Sequence, residues 1–397
     1  MGTTPRIIDV DAHVEPAPGW LEDFPELAAR LPELLPDTDP RFALGTAEMF
    51  AWFVSDDLLR GVAREERMPI DRLVNPAIEF LFTDDAQGLT FPGADQYAPL
   101  VDPAARVAWL DAQGIAKQNL ISGGGYTLAR AVEDPGLSRD ALQAVNTWMT
   151  DAVGEHGDRL LPVACLRFDD IDWAVTELRR VRERGSRAFL VSSEPAGGIP
   201  PSSPDFDPVW AAATDLGLVP LLHIGMSPAM LHPGWAKVED PGLIRLLSVL
   251  QPSQSAEIFL TAIVIGGVFE RHPDLTILIS ELGIDWLPEL AEKLDGMAAG
   301  GASPLVLGEY RLPLSPSEYI RRNVRISPLP APHQDPRALL EELPGVAVFS
   351  SDFPHFEGNG EPLPYYRDLL AHVDDDVRDG FLGGSIAEAY ERMGDPL

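Results

Sequence analysis

Residues 7–13 read Ile-Ile-Asp-Val-Asp-Ala-His, and the interpretation of the whole chain starts from this stretch. The β-branched residues predict a strand. Side chains alternate across a strand, so Asp9, Asp11 and His13 are expected on one face. Burying two acids with an imidazole becomes favourable when a divalent cation compensates the carboxylate charge. Taken alone, the stretch is equally typical of a polar N-terminal strand with a capping Asp and an exposed His.

Downstream, strand patterns alternate with helix patterns. Including residues 6–12, eight strands are predicted, and the other seven begin at 117, 160, 187, 218, 275, 323 and 345. Helices are predicted at 102–113, 137–156, 170–184, 205–216, 253–272, 283–298, 335–343 and within 363–393. This alternation and the length of 397 residues predict one α/β domain over 1–397, a (β/α)8 TIM barrel with additional C-terminal helices.

Residues 14–100 interrupt this regular pattern directly after the first strand. The segment is rich in proline and aromatic residues, with helical patterns near 21–35, 45–64 and 69–82. An insertion of this length is usually functional, and we expect a lid over a pocket. A peripheral subdomain or an oligomer contact is the alternative.

Composition limits the partners. The net charge is −32, from 62 acids and 30 bases, which argues against nucleic acid and anionic membrane surfaces and favours a small-molecule substrate. Cys165 is the only cysteine, so no intrachain disulfide is possible, and it lies in an apolar run typical of a core. The sequence shows neither a signal-like segment nor an apolar run of the ~20 residues that cross a bilayer, so a cytoplasmic location is expected.

Polar residues stand at four predicted strand ends, where the chemistry of such a barrel is located. Asp11 and His13 end strand 1, His223 ends strand 5, Glu281 follows strand 6 and Asp352 follows strand 8. Each alone is compatible with a structural role, such as a helix cap or a hydrogen-bonded core histidine. Together they predict a metal site, because imidazole and carboxylate ligands suit Zn²⁺, Mn²⁺ or Fe²⁺.

Several motifs resemble the amidohydrolase superfamily, in its branch related to aminocarboxymuconate semialdehyde decarboxylase (amidohydrolase-related, type 2). They are IIDVDAH at 7–13, DPAARVAWLDAQGI at 102–115, PLLHIG at 220–225, HPDLTILISELGIDWLPE at 272–289 and SSDFPHFEG at 350–358. The resemblance implies one divalent metal ion held by Asp11, His13, His223 and Asp352, with zinc expected first and manganese or iron as alternatives. A homodimer is also expected.

One position departs from the family pattern. Many family decarboxylases carry His on strand 6, where this chain has Glu281 followed by Leu282 and Gly283. Glu281 is a candidate general acid or base, a partner of His223, or a structural carboxylate paired with an arginine. This departure favours a hydrolase cleaving a C–C or C–X bond in a small aromatic or conjugated carbonyl or carboxylic compound.

Two other functions stay open. One is non-oxidative decarboxylation of an aromatic or enoic acid, in which Asp352 protonates the carbon that loses the carboxylate. The other is a non-catalytic barrel that keeps the metal as a structural pin.

Four further residues are candidates for substrate binding: His355, Arg167, His232 and Trp286. His355 follows the strand-8 ligand and is also a candidate proton donor, or else a packing residue at the rim. Arg167 lies near the end of strand 3, where it could bind a substrate carboxylate. His232 follows strand 5, and Trp286 belongs to the Trp-x-Pro motif after strand 6.

Overall fold

The computed structural model describes residues 6–14, 20–30, 102–122, 134–224, 252–301, 310–329, 334–353 and 362–397. Most of the predicted insertion at 14–100 lies outside these ranges, as do His232 and His355. Of the insertion, the structure describes a short 3₁₀ turn, Trp20–Asp23, and a one-turn helix, Pro25–Ala28.

Seven strands form one parallel sheet in sequence order. They are β1 (Ile8–Asp9), β2 (Lys117–Leu120), β3 (Leu160–Ala164), β4 (Ala188–Val191), β5 (Val219–His223), β6 (Ile277–Ser280) and β7 (Val324–Ile326). Every strand pairs with its sequence neighbour, as the alternation of strands and helices predicts.

The predicted eighth strand closes the sheet into a barrel. It is the segment 346–353, which hydrogen-bonds to β7 on one side and to the first strand on the other. The amide of Val348 donates to the carbonyl of Ile326 at 3.0 Å, and that of Val10 donates to the carbonyl of Phe349 at 3.2 Å. A bridge between Ala12 and Phe353 continues the contact. The predicted (β/α)8 barrel is confirmed, with the eighth strand held by single bridges rather than a full ladder.

Helices lie between and after the strands. In chain order they are α1 (Pro25–Ala28), α2 (Pro103–Gln113), α3 (Pro135–Val153), α4 (Ile171–Glu183), α5 (Asp207–Leu216), α6 (Pro252–Ile265), α7 (Val268–Arg271), α8 (Trp286–Gly296), α9 (Pro316–Asn323), α10 (Arg337–Glu342), α11 (Pro362–Leu369), α12 (Asp375–Asp379) and α13 (Ser385–Arg392). Local capping explains several boundaries. Asp102 accepts a hydrogen bond from the amide of Ala104 at the start of α2, and Gly114 ends that helix with a left-handed φ of 76°.

Two helix predictions need correction. The single helix predicted at 253–272 is divided, because Gly266 and Gly267 interrupt it, with Gly267 at a φ of 73°. Helix α9 was not predicted, although Ser315 and Glu318 form a capping box at its start.

The main core lies between the barrel and its helices. Phe168, Phe206 and Trp210 pack there with ring centroids 4.9–5.3 Å apart. Cys165 is buried in the same core, as predicted. The C-terminal helices contact the start of the barrel closely, since a Cβ on Gly383 would lie 2.0 Å from the carbonyl oxygen of Arg6. Among the described residues, no helix has the length and apolar character needed to cross a membrane.

Candidate metal centre

Five buried polar side chains meet at the carboxyl ends of the strands. Asp11 and His13 follow β1, His223 is the last residue of β5, Glu281 follows β6, and Asp352 belongs to the closing segment. One ligand atom from each of Asp11, His13, His223 and Glu281 lies within 4.8 Å of the others. The parallel barrel thus brings together residues separated by hundreds of positions.

The two imidazoles stand at the middle of this group. Nε2 of His13 is 3.4 Å from Asp11 Oδ1, 3.4 Å from Glu281 Oε1 and 3.3 Å from Asp352 Oδ1. Nε2 of His223 is 3.0 Å from Glu281 Oε2 and 3.6 Å from Asp11 Oδ1. The carboxylates therefore surround the imidazole nitrogens, and both imidazoles direct Nε2 toward the same small space.

The burial of these side chains shows whether they suit a cation. Asp11 and Asp352 are 0% exposed and His13 is 2% exposed. Within the described ranges, neither carboxylate oxygen of Asp11 accepts a well-formed hydrogen bond. A buried carboxylate without such partners is unfavourable unless a positive charge neutralises it. Two imidazoles and carboxylate oxygens are a suitable donor set for a divalent transition metal, so the residues present fit such an ion.

The backbone at two of these residues is unusual. Glu281 has a φ of 59° and Asp352 a φ of 52°, and no other non-glycine residue in the described ranges has a positive φ. A left-handed conformation costs an ordinary L-residue about 1–2 kcal/mol. Such outliers concentrate at functional sites, where surrounding structure holds them. Here both outliers supply a carboxylate to the same cluster.

The charged groups of the cluster shift one another's pKa values. Burial by itself would lower the pKa of His223, but the charges of Glu281 and Asp11 raise it to about 10. Burial would raise the pKa values of Asp11 and Glu281, but the charge of His223 lowers both below their ordinary values. A proton on His223 therefore neutralises part of the carboxylate charge when no metal is bound.

Two predicted substrate contacts are engaged elsewhere. Arg167 is half-buried, and it donates to Asp169 Oδ1 at 3.1 Å and to Ser138 Oγ at 2.8 Å. The indole N–H of Trp286 donates to the carbonyls of Leu282 and Gly283, both at 2.9 Å. The indole nitrogen thus stabilises the turn that carries Glu281, which leaves only its ring for contact with a ligand.

The direction of the Glu281 side chain was the feature of the site that the sequence predicted least well. Its carboxylate lies within the cluster, with Oε2 3.0 Å from His223 Nε2, and the choice among the three predicted roles stays a prediction. A strand end followed by Glu-x-Gly was the available signal. The left-handed turn that directs this carboxylate into the cluster has no signature at Glu281 itself.

Comparisons with known proteins agree with this architecture. The sequence profile described as Amidohydrolase matches residues 120–392, well over half of the chain. No curated protein sequence matches the chain.

Solved structures resemble the whole chain at low identity. An amidohydrolase from Mycobacterium avium subsp. paratuberculosis K-10 aligns with a TM-score of 0.72 and 20% identity, over 98% of this chain and 100% of that one. The 5-carboxyvanillate decarboxylase LigW from Sphingomonas paucimobilis aligns with a TM-score of 0.63 and 20% identity, over 98% and 99%. A dihydroxybenzoic acid decarboxylase from Polaromonas sp. JS666, with bound manganese and the inhibitor 2-nitroresorcinol, aligns with a TM-score of 0.60 and 16% identity, over 98% and 97%.

At these identities the structural likeness establishes the fold, while the matching profile establishes the family. The resemblance inferred from the sequence motifs is therefore confirmed. The chain belongs to the amidohydrolase family, and it is a metal-dependent enzyme, either a hydrolase or a carboxy-lyase.

Proposed function

We propose that this enzyme is a non-oxidative decarboxylase of a small aromatic hydroxy acid. The observation that carries the proposal is the buried cluster of two imidazoles and carboxylates at the rim of an amidohydrolase barrel. Two structures with the same fold, from Sphingomonas paucimobilis and Polaromonas, are aromatic acid decarboxylases. These findings favour the alternative raised from the sequence over hydrolysis, which was the first expectation.

In the proposed site, Asp11, His13, His223 and Asp352 would hold a divalent cation, with Glu281 beside them. When bound, the cation supplies a Lewis-acidic centre for the oxygens of the substrate. Asp352 holds the proton that the ring carbon receives. The bond between that carbon and the carboxylate then breaks, its electron pair stays on the ring, and carbon dioxide leaves.

Manganese is proposed in place of zinc, which was the first expectation. The cluster contains three carboxylates, from Asp11, Glu281 and Asp352, beside two imidazoles. Carboxylate oxygens favour harder cations such as Mn²⁺, whereas zinc favours sites rich in imidazole and thiolate. The manganese in the Polaromonas decarboxylase supports this choice.

The experiment tests whether the metal-loaded protein releases carbon dioxide from aromatic hydroxy acids. Chelator-stripped protein is reloaded with Mn²⁺ or Zn²⁺ and incubated with ortho- and para-hydroxybenzoates and 5-carboxyvanillate. We expect stoichiometric carbon dioxide release with at least one ortho-hydroxy acid. In D₂O, one deuterium should appear at the carbon that lost the carboxylate. A metal-loaded protein that releases no carbon dioxide from any acid of the panel would contradict the proposal.

Hydrolysis is the second candidate, and the position of Glu281 is the observation that favours it. Three carboxylates around one divalent cation leave the site with a net negative charge, which disfavours an anionic substrate. A hydrolase would convert lactones, esters or conjugated ring-cleavage ketones without releasing carbon dioxide. A protein that binds the metal but converts neither the acids nor the lactones, esters and ketones would favour the non-catalytic barrel, in which the metal is structural.

A further inference from the structure

A second buried polar group lies directly beside the proposed metal ligands. Its centre is Asp9, which is 0% exposed. Asp9 accepts hydrogen bonds from Ser351 Oγ at 2.6 Å, from Ser351 N at 2.9 Å and from Gln118 Nε2 at 2.7 Å. These bonds join β1 to β2 and to the closing segment. Asp9 therefore ties together the chain segments that carry Asp11 and Asp352.

Arg106 extends this group from the outer layer of the barrel. It lies on α2, is 2% exposed, and donates through one nitrogen to Gln118 Oε1 at 2.9 Å. Another nitrogen of the same guanidinium donates to the backbone carbonyl of His13. Its carbon lies 4.9 Å from the centroid of the Phe353 ring, one residue beyond Asp352. Arg106 thus contacts the backbone of one proposed ligand and the neighbour of another.

Gln118 links Arg106 to Asp9, because its amide has one accepting and one donating end. Its oxygen accepts from Arg106 while its nitrogen donates to Asp9, so a single amide bridges a buried cation and a buried anion. Only one orientation of the amide satisfies both neighbours. Buried charges that are linked by hydrogen bonds in this way are stable only while every member is present.

We propose that Arg106, Gln118, Asp9 and Ser351 are positioning residues that set the affinity of the metal centre. They act by fixing the backbone on which Asp11, His13 and Asp352 stand. Removing a group that hydrogen-bonds to metal ligands and orients them typically lowers metal affinity by about 10–100-fold. This inference rests on the proposed metal site but not on the reaction carried out there.

The test uses Gln118→Leu and a matched control, Asn146→Leu. Asn146 is also a buried amide with three hydrogen bonds, but its partners are the backbone of Cys165, after β3, and the side chain of Glu177 on α4. Mn²⁺ affinity is measured on chelator-stripped protein by competition with a chromophoric chelator. We expect Gln118→Leu to weaken binding by about 10–100-fold. Asn146→Leu should lower thermal stability while its affinity stays within about two-fold of the starting protein.

Ser351 provides a second test if Gln118→Leu does not fold. Ser351→Ala removes the 2.6 Å bond to Asp9, and Ser351→Thr retains a hydroxyl, so we expect weaker binding in the first and recovery in the second. Equal Mn²⁺ affinity in both Ser351 variants, or an unchanged affinity in folded Gln118→Leu, would overturn the inference. Since the titration needs no substrate, a protein that binds Mn²⁺ but releases no carbon dioxide contradicts only the decarboxylase proposal. A starting protein that binds no Mn²⁺ contradicts both.

Discussion

Two buried carboxylates of this protein have opposite surroundings. Glu177, on α4, accepts hydrogen bonds from Arg180 at 2.6 and 2.7 Å, from Asn146 at 2.9 Å and from Gln143 at 3.1 Å. Asp11 is equally buried, yet neither of its oxygens accepts a well-formed hydrogen bond from the part of the chain that the structure describes. Its nearby cationic partners are the imidazoles of the cluster, at 3.4 and 3.6 Å.

The difference separates a structural acid from one suited to bind a ligand. Because Glu177 is saturated by an arginine and two amides, it has little capacity for another partner and serves to join α3 and α4. Asp11 depends on a proton shared within the cluster, or on a cation that takes the place of that proton. Removing Asp11 should therefore impair metal binding, whereas removing Glu177 should lower stability. Four measurements test this contrast.

The largest effect is expected for activity. Asp11→Asn keeps the shape of the side chain but removes its charge, so the cation should be lost from the site. We expect kcat/KM to fall by about 10³-fold, equivalent to about 4 kcal/mol of transition-state stabilisation. Steady-state assays with the best substrate of the panel provide the measurement. Glu177→Gln should keep at least half of the activity, and a comparable loss in both variants would remove the distinction.

The pH dependence of metal affinity is the second measurement. The pKa of His223 is raised to about 10 in the metal-free protein, so at neutral pH a proton must leave before the imidazole can bind a cation. Affinity should rise with pH, by about tenfold per unit and so by about 100-fold from pH 6 to pH 8. Chelator competition at several pH values, with release of one proton detected by calorimetry, would show it. An affinity that does not depend on pH would mean that the imidazole is already neutral.

Metal addition should also stabilise the fold. A ligand present at 100 times its dissociation constant adds about 2.7 kcal/mol to the free energy of unfolding, provided that it binds only the folded state. We expect Mn²⁺ to raise the unfolding midpoint of the starting protein and of Glu177→Gln by the same amount. Asp11→Asn should show no increase. A rise in midpoint in Asp11→Asn would place the stabilising ion at another site.

The smallest effect concerns stability without metal. Glu177→Gln leaves the half-buried Arg180 without its anionic partner, which should lower the free energy of unfolding by about 1–3 kcal/mol. Denaturant unfolding of the chelator-stripped proteins measures this change. Asp11→Asn should destabilise the metal-free protein less than Glu177→Gln does. The reverse order would show that Asp11 is already well compensated by its neighbours.

Strand positions in a parallel barrel are determined by topology, and this explains why so much was predictable from the sequence. Once β1 and β5 were recognised, His13 and His223 had to stand at the same rim. The clear caps at Asp102 and Gly114 located α2 to the residue. Helix α9, by contrast, is only eight residues long, and its available signal was the capping box of Ser315 and Glu318 rather than a long apolar repeat.

Details of the site depend on contacts that a sequence does not display. The role of Trp286 in its own turn follows from three-dimensional packing, as does the inward direction of Glu281. Gln118 and Arg106 gave no signal because a glutamine on a strand and an arginine on a helix are ordinary residues. Only the structure shows that they meet Asp9.

The closing of the barrel by residues 346–353 has a consequence for synthesis on the ribosome. β1 leaves the ribosome before its partner in the closing segment, and that partner, with Asp352, is made more than three hundred residues later. At about 5–20 residues per second, β1 waits many seconds for that partner. Contacts between such distant parts of a chain also form slowly. The nascent barrel therefore keeps an open sheet edge beside β1 until the closing segment emerges, and the proposed metal site is completed only at that point.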